Sequence, residues 1–267
     1  MLRTYASPCG ESAAAAGRGL PAGWMAAGDR ERAAAAGLTA NWLKAAAIVT
    51  MALDHFASGF LPSGSVAWLV LRTLGRLTMP IMCFFVAEGY RHTSSLRRYA
   101  LRLLVFAAIS HVPFVVYFDR DPLRETGVLW GLLMGLLALA LWQQKRLPLP
   151  LRAAGVGALA LLATPADWGY ISVFWVVCFG VFRERPRLQL LSFTAVGVVF
   201  YLLPVAGEVL ADPSALLQYG YRLGFLLPIP LLAAYRGAPG RRSTALKWGF
   251  YAFYPAHLLL LAALRTL

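Results

Sequence analysis

Acidic residues are scarce in this chain, with 12 Asp and Glu against 25 Lys and Arg, and charged residues of either sign make up only 14% of its 267 positions. The water-facing surface of an ordinary soluble domain of this length needs more charge than that, so such a domain is excluded. Cysteine is nearly absent. Cys9, Cys83 and Cys178 fall in a tail and in two apolar runs, so no disulfide framework is expected. Apolar/polar alternation is missing too, which excludes a membrane β-barrel. No stretch repeats internally, and no metal site is expected. Residues 1–40, rich in Ala, Gly and Arg, hold no sustained apolar core of the kind a signal peptide needs. They read as a disordered tail, which initiation at Met25 would shorten.

What the chain does have is hydrophobic length. Apolar residues make up 59% of the sequence and mean hydropathy is +0.62. They come in successive runs of roughly 15–24 residues, about what crosses a ~30 Å hydrocarbon layer at 1.5 Å per residue. The runs 41–61, 66–89, 97–117, 127–144, 150–164, 168–182, 188–204, 215–235 and 246–266 predict an all-α, polytopic transmembrane bundle of about nine helices, forming one domain over 41–267. The fifth and sixth runs are short and joined by Thr164-Pro165-Ala166-Asp167, so eight crossings or a re-entrant pair is the alternative. With the N-terminus placed in the cytoplasm, Lys44, Arg91, Arg97, Arg98, Arg102, Arg183, Arg241, Arg242 and Lys247 fall inside. The opposite loops keep only Arg120 and Arg124, next to acids, and otherwise carry acidic or neutral residues such as Asp167 and Asp212. This positive-inside pattern accounts for the net charge of +13 and removes the argument for a nucleic-acid partner. A cytoplasmic (inner) membrane location follows.

Ionisable residues inside membrane helices are costly and mark polar cavities or functional sites. Counting along the helices puts Asp54 and His55 roughly 10–12 Å below the outer boundary, Arg72 and Arg76 roughly 10–16 Å, Arg222 and His257 about 12 Å and His111 about 8 Å. Arg72 and Arg76 are spaced i, i+4 and face one way. Pro80 frees the carbonyl of Arg76 and predicts a kink there. Asp54 and His55 point about 100° apart, so Asp54 is expected to pair with Arg72 or Arg76 rather than orient His55. The bland alternatives are a structural ion pair for Asp54, a core role for His111, an interfacial position for Arg222, and a solvated helix end for Glu88 and His92. The aromatic run Phe250, Tyr251, Phe253, Tyr254 also fits an interfacial belt.

Several stretches together resemble the TraX family, membrane proteins named for the factor that N-acetylates F-type conjugative pilin. They are LKAAAIVTMALDH (43–55), LRTLGRLTMPIMCFFVAEGYRHT (71–93), RLLVFAAISHVPF (102–114), DWGYISV (167–173) and KWGFYAFYPAHLLLL (247–261). The resemblance implies an acyltransferase using acetyl-CoA as co-substrate and no metal. The acceptor would be an amine or hydroxyl, on a pilin-like protein, a peptide, a lipid or a glycan. Such chemistry needs a base, which His55 or His257 could supply, and an oxyanion stabiliser, which Arg72 or Arg76 could supply. Tyr254 could orient His257 or donate to the thioester carbonyl. Glu88, Arg91, His92, Arg97, Arg98 and Lys247 would form the cofactor-binding side, where CoA phosphates are drawn to positive charge. A proton-coupled carrier with an intramembrane Asp/His/Arg site is the competing class. The single evident Pro break and the missing repeat weigh against it.

Overall fold

The computed structural model describes residues 38–266 apart from 239, 241 and 242, and leaves the side chains of 246 and 247 out. The tail expected over 1–40 therefore lies almost wholly outside the described residues, as do Arg241, Arg242 and the Lys247 side chain. Within the described residues the chain is all-helical. The only extended pairings there are two isolated bridges, Leu38 with Tyr235 and Thr126 with Ala166.

The helices are α1 (Ala40–Phe60), α2 (Val66–Gly75), α3 (Thr78–His92), α4 (Leu96–Phe118), α5 (Val128–Trp142) and α6 (Leu149–Leu162). They continue as α7 (Gly169–Val181), α8 (Pro186–Gly197), α9 (Leu203–Ala211), α10 (Leu216–Tyr219), α11 (Pro228–Ala234) and α12 (Thr244–Arg265). Helices α2 and α3 join into one rod, Val66–His92, and α8 and α9 into another, Pro186–Ala211. Together with Leu96–Phe118 these are long and apolar enough to cross a membrane. A row of exposed apolar side chains down α4 (Leu101, Val105, Ile109, Val112, Val116) suits lipid better than water. Counted as rods, the described residues reproduce the nine expected runs. Helices α5, α6 and α7 are shorter apolar rods of 15, 14 and 13 residues, so each falls short of a ~30 Å layer at 1.5 Å per residue.

The breaks have identifiable causes. Pro80 cannot bond the carbonyl of Arg76, and the rod breaks there: Arg76 and Leu77 N–H groups reach back only to Thr73 and Leu74. Pro204 similarly coincides with a π-turn over Val198–Leu202 between α8 and α9. The run expected at 215–235 is not one continuous helix. It is α10, a 3₁₀ segment (Gly220–Leu226) and α11, because Gly220, Gly224, Pro228 and Pro230 interrupt it. Gly224 lies directly against the Thr73 carbonyl, so the 3₁₀ segment packs on α2 at backbone distance.

The core is aromatic at one end, where Trp175, Phe179, Phe193 and Phe225 are fully buried. Helix α5 carries no charge, is buried on nearly every side, and forms the axis of the bundle. Helices α1 and α2 meet at Gly75, where an added Cβ would collide with the Asp54 side chain. Gly75→Ala is therefore expected to destabilise by about 1–3 kcal/mol through overpacking. Gly157→Ala, which meets open space, should be neutral or slightly stabilising. Thermal unfolding of the detergent-purified variants checks both.

Candidate active site

The local sequence of α1 and α2 builds an ion cluster. Arg72 and Arg76, one turn apart, reach the same carboxylate from the same side: Arg72 Nη1 donates to Asp54 Oδ2 at 2.9 Å and Arg76 Nη2 to Oδ1 at 2.5 Å. Asp54 and Arg76 are both buried. Arg76 also donates from Nε to the Arg72 carbonyl (3.3 Å) and from Nη1 to the Tyr201 hydroxyl (3.2 Å). Its guanidinium lies over Trp168 and Tyr221, while Arg72 stacks on Trp68 and Tyr221. The expected pairing of Asp54 is thus met by both arginines at once.

Beside this cluster, His55 meets His257 of α12. Their rings are nearly parallel, and His55 Nδ1 lies 2.7 Å from His257 Nε2. His257 Nδ1 lies 2.8 Å from the Phe253 carbonyl oxygen. A carbonyl only accepts, so His257 Nδ1 carries a proton. With both rings neutral, His257 Nε2 is then an acceptor, and His55 donates to it from Nδ1. Assigned in this way from the bonding partners, His55 Nε2 keeps the free lone pair. Tyr117 donates from its hydroxyl to the His55 carbonyl at 2.6 Å, and Phe118 packs edge-on against the ring.

Asp54, His55 and Arg76 line the deep end of a cavity of about 880 Å³. Its walls on α1 run from Asn41 to His55, a rise of about 21 Å at 1.5 Å per residue. Its mouth is formed by Asn41, Lys44, His92, Ser94, Ser95, Arg98, Arg102 and Thr244. Lys44 and Arg102 face this space as well as aromatic rings. The deep end adds Asp167, Trp168, Val128 and Tyr254. A parallel bridge closes the loops there: Thr126 N–H donates to Pro165 O and Asp167 N–H to Thr126 O.

Of the residues singled out from sequence, His55, Asp54, Arg76, Tyr254, His92 and Arg98 line the cavity. Arg72 supports it from behind, through Asp54. His257 reaches it through His55. Tyr254 packs its hydroxyl against the start of α5 at Gly127, so His257 is held by the Phe253 carbonyl instead. Arg91 and Arg97 are exposed and do not line the cavity. Glu88 is engaged by Arg183 at 2.9 Å, and its contact with the exposed His92 is 3.7 Å. His111 bonds the Pro122 carbonyl, away from the cluster. Arg222 donates to the Tyr201 carbonyl at 2.8 Å, which backs the tyrosine that Arg76 contacts. Sequence reasoning did not pick Lys44, Arg102, Asp167, Trp168 or Tyr201. For Asp167 and Trp168 a signal was present, since they open the DWGYISV stretch.

The family model "TraX protein" matches residues 39–265. The chain belongs to the TraX family. The match covers every helix described above, including both halves of the histidine pair and the ion cluster. A relative from Dichelobacter nodosus, a probable fimbrial assembly protein FimC of serogroup H1, is 34% identical over 229 residues, or 82% of this chain and 92% of the relative. No solved structure matches the chain. Membership, together with helices of spanning length, supports a membrane location for this TraX protein.

Because both oxygens of a buried carboxylate are held by guanidinium groups, removing one partner leaves uncompensated charge. Asp54→Asn is expected to cost about 3–5 kcal/mol, and combining it with Arg72→Met and Arg76→Met should recover part of that loss. Relative thermal midpoints of the single and triple variants in detergent test this.

Proposed function

We propose that this TraX protein transfers the acetyl group of acetyl-CoA to an amine or hydroxyl acceptor, with His55 as the base. The observation that carries the reading is His55, paired with His257, at the deep end of a cavity whose mouth is basic. Lys44, Arg98 and Arg102 would hold the CoA phosphates, and the narrow depth would take its extended arm toward His55. These residues replace Arg91, Arg97 and Glu88 as the cofactor side of the site.

In the transfer, the acceptor nitrogen or oxygen attacks the thioester carbon as His55 Nε2 takes its proton. The C–S bond then breaks, and the proton returns from His55 to the CoA thiolate. The hydrogen bond to His257, itself anchored on the Phe253 carbonyl, stabilises the imidazolium that forms. A guanidinium has five N–H donors, of which Arg76 commits three. The other two remain to meet a developing oxyanion, and Arg76 is favoured over Arg72 for that role because it lines the cavity and Arg72 does not.

The fimbrial assembly name of the Dichelobacter nodosus relative and the family resemblance both favour a pilin-type protein as acceptor, with a lipid or glycan amine as the other candidates. The basic mouth fits the cytoplasmic face, which would put the deep end toward the outer side of the inner membrane. The intramembrane Asp/His/Arg site of a proton-coupled carrier would need Asp54 free to change protonation. Asp54, held on both oxygens, does not fit that need.

With purified protein, labelled acetyl-CoA and a defined acceptor, His55→Ala is expected to lower transfer by about a hundredfold or more. His257→Phe, which keeps a ring but neither hydrogen bond, should give a smaller loss. Full activity in His55→Ala would overturn the base assignment, and absence of acetyl-CoA binding in the parent protein would overturn the reaction class. Lys44→Ala and Arg102→Ala should weaken acetyl-CoA binding and flatten its salt dependence, as titration at two ionic strengths would show.

A further inference from the structure

The deep end of the cavity holds one carboxylate that the transfer chemistry above does not use. Asp167 sits in the α6–α7 connection, fixed by its backbone N–H on the Thr126 carbonyl, and lines the cavity next to Trp168. Its side chain is exposed to solvent and also lines the cavity, with protein packed around the carboxyl. Among the described residues its carboxylate has no hydrogen-bond or ion-pair partner, unlike Asp54 a short way off. Arg76, Arg72 and Arg120 act on it only at a distance.

Charge at this end makes the residue informative. Arg72 and Arg76 outweigh Asp54 by one positive charge, and the histidines in the tautomers assigned above add none. An ammonium approaching His55 would meet net repulsion in surroundings where water screens poorly. Asp167 brings the deep end to neutrality and leaves its own oxygens free. A neutral hydroxyl acceptor would need no such group.

From this we infer that Asp167 is the binding residue for the positively charged form of an amine acceptor, so that the site selects protonated amines over hydroxyl acceptors. The inference rests on the proposed acetyl transfer and specifies its acceptor class. Protons balance as follows: the bound ammonium releases one to cavity water to become the attacking amine, His55 takes the second as the C–N bond forms, and that one passes to the thiolate as the C–S bond breaks. The products are the amide, the free thiol and one proton. Protein packed around the Asp167 carboxyl raises it above the usual carboxylate range, the nearby Arg76 charge opposing the effect. Acetylation also abolishes the charge that Asp167 holds, so the product loses its attraction at the moment it forms.

The test compares n-butylammonium with N-butylacetamide, its neutral acetylated counterpart, as ligands of the full chain in detergent by saturation-transfer difference NMR. The cation is expected to bind at least tenfold more tightly in the parent protein. Asp167→Asn should erase that difference, while Asp167→Glu should keep part of it. Acetyl-CoA binding, read in parallel, shows that each variant is folded. Equal binding of the two ligands by the parent, or a preference unchanged in Asp167→Asn, overturns the inference. These binding measurements require no turnover. A charge preference that depends on Asp167 in a protein with no transferase activity would keep Asp167 as an ammonium-binding residue and reject the reaction. Transferase activity with no such preference would do the reverse.

Discussion

The structure depends on one buried carboxylate. Asp54 lies where the sequence places lipid on the outside of the bundle, and an isolated ion there would be too costly to persist. Two guanidinium groups from one face of α2 settle it, and they do more than neutralise charge. Their i, i+4 spacing fixes both oxygens of the carboxylate, so the rotation of α1 about its own axis is fixed as well. The next residue, His55, points about 100° away from Asp54. Locking Asp54 toward α2 therefore aims His55 toward α12, where His257 receives it. The ion cluster does not itself touch His257, but it determines where His55 faces.

The same constraint spreads outward through aromatic contacts. Arg76 sits under Trp168 and donates to Tyr201, and the Tyr201 carbonyl is held in turn by Arg222. The Tyr201 segment is a π-turn and the Arg222 segment a 3₁₀ turn, so two irregular stretches support one guanidinium. Irregular backbone at membrane depth is tolerated where protein or a polar cavity satisfies it. Here it wraps the ion cluster. The polar groups are divided along the bundle: free cations at the mouth, and opposed charges near balance at the closed end.

Much of the fold was legible because lipid demands it. Apolar length alone gave the nine helical runs, of which the one over 215–235 is broken by its glycines and prolines, and Pro80 gave the break at Arg76. Charge pairing was legible for the same reason, since the next helix along the chain offered two arginines on one face near the depth of Asp54. Two kinds of information were not. The first is azimuth: counting positive residues by side treated Arg91 and Arg97 as equal to Lys44 and Arg102, yet only the latter two face the cavity, and which way a side chain faces depends on helix packing. The second is distance in sequence. His55 and His257 are 202 residues apart, and depth could align them without showing that Nδ1 meets Nε2. Asp167 was hidden by its loop. An acid between two helices reads as surface, and only the Thr126–Ala166 bridge folds that loop back over the cavity.

As the base proposed above, His55 would be partnered by histidine rather than by a carboxylate, which suits this setting. In an Asp–His pair the orienting group carries permanent negative charge, and in a poorly screened interior it must be balanced by another cation. Asp54 is one residue from His55, yet its charge is already committed to Arg72 and Arg76. A neutral histidine orients His55 without adding any charge to the resting site. When His55 takes a proton, its Nδ1–H bond to His257 strengthens, and His257 can in turn polarise against the Phe253 carbonyl, so the new charge is shared along two hydrogen bonds. Phe253 and His257 are one turn apart on a single helix, so α12 supplies both the relay and its anchor. The resting site holds opposed charges near balance, and under the proposed transfer the positive charge gained by His55 would be spread over these two hydrogen bonds.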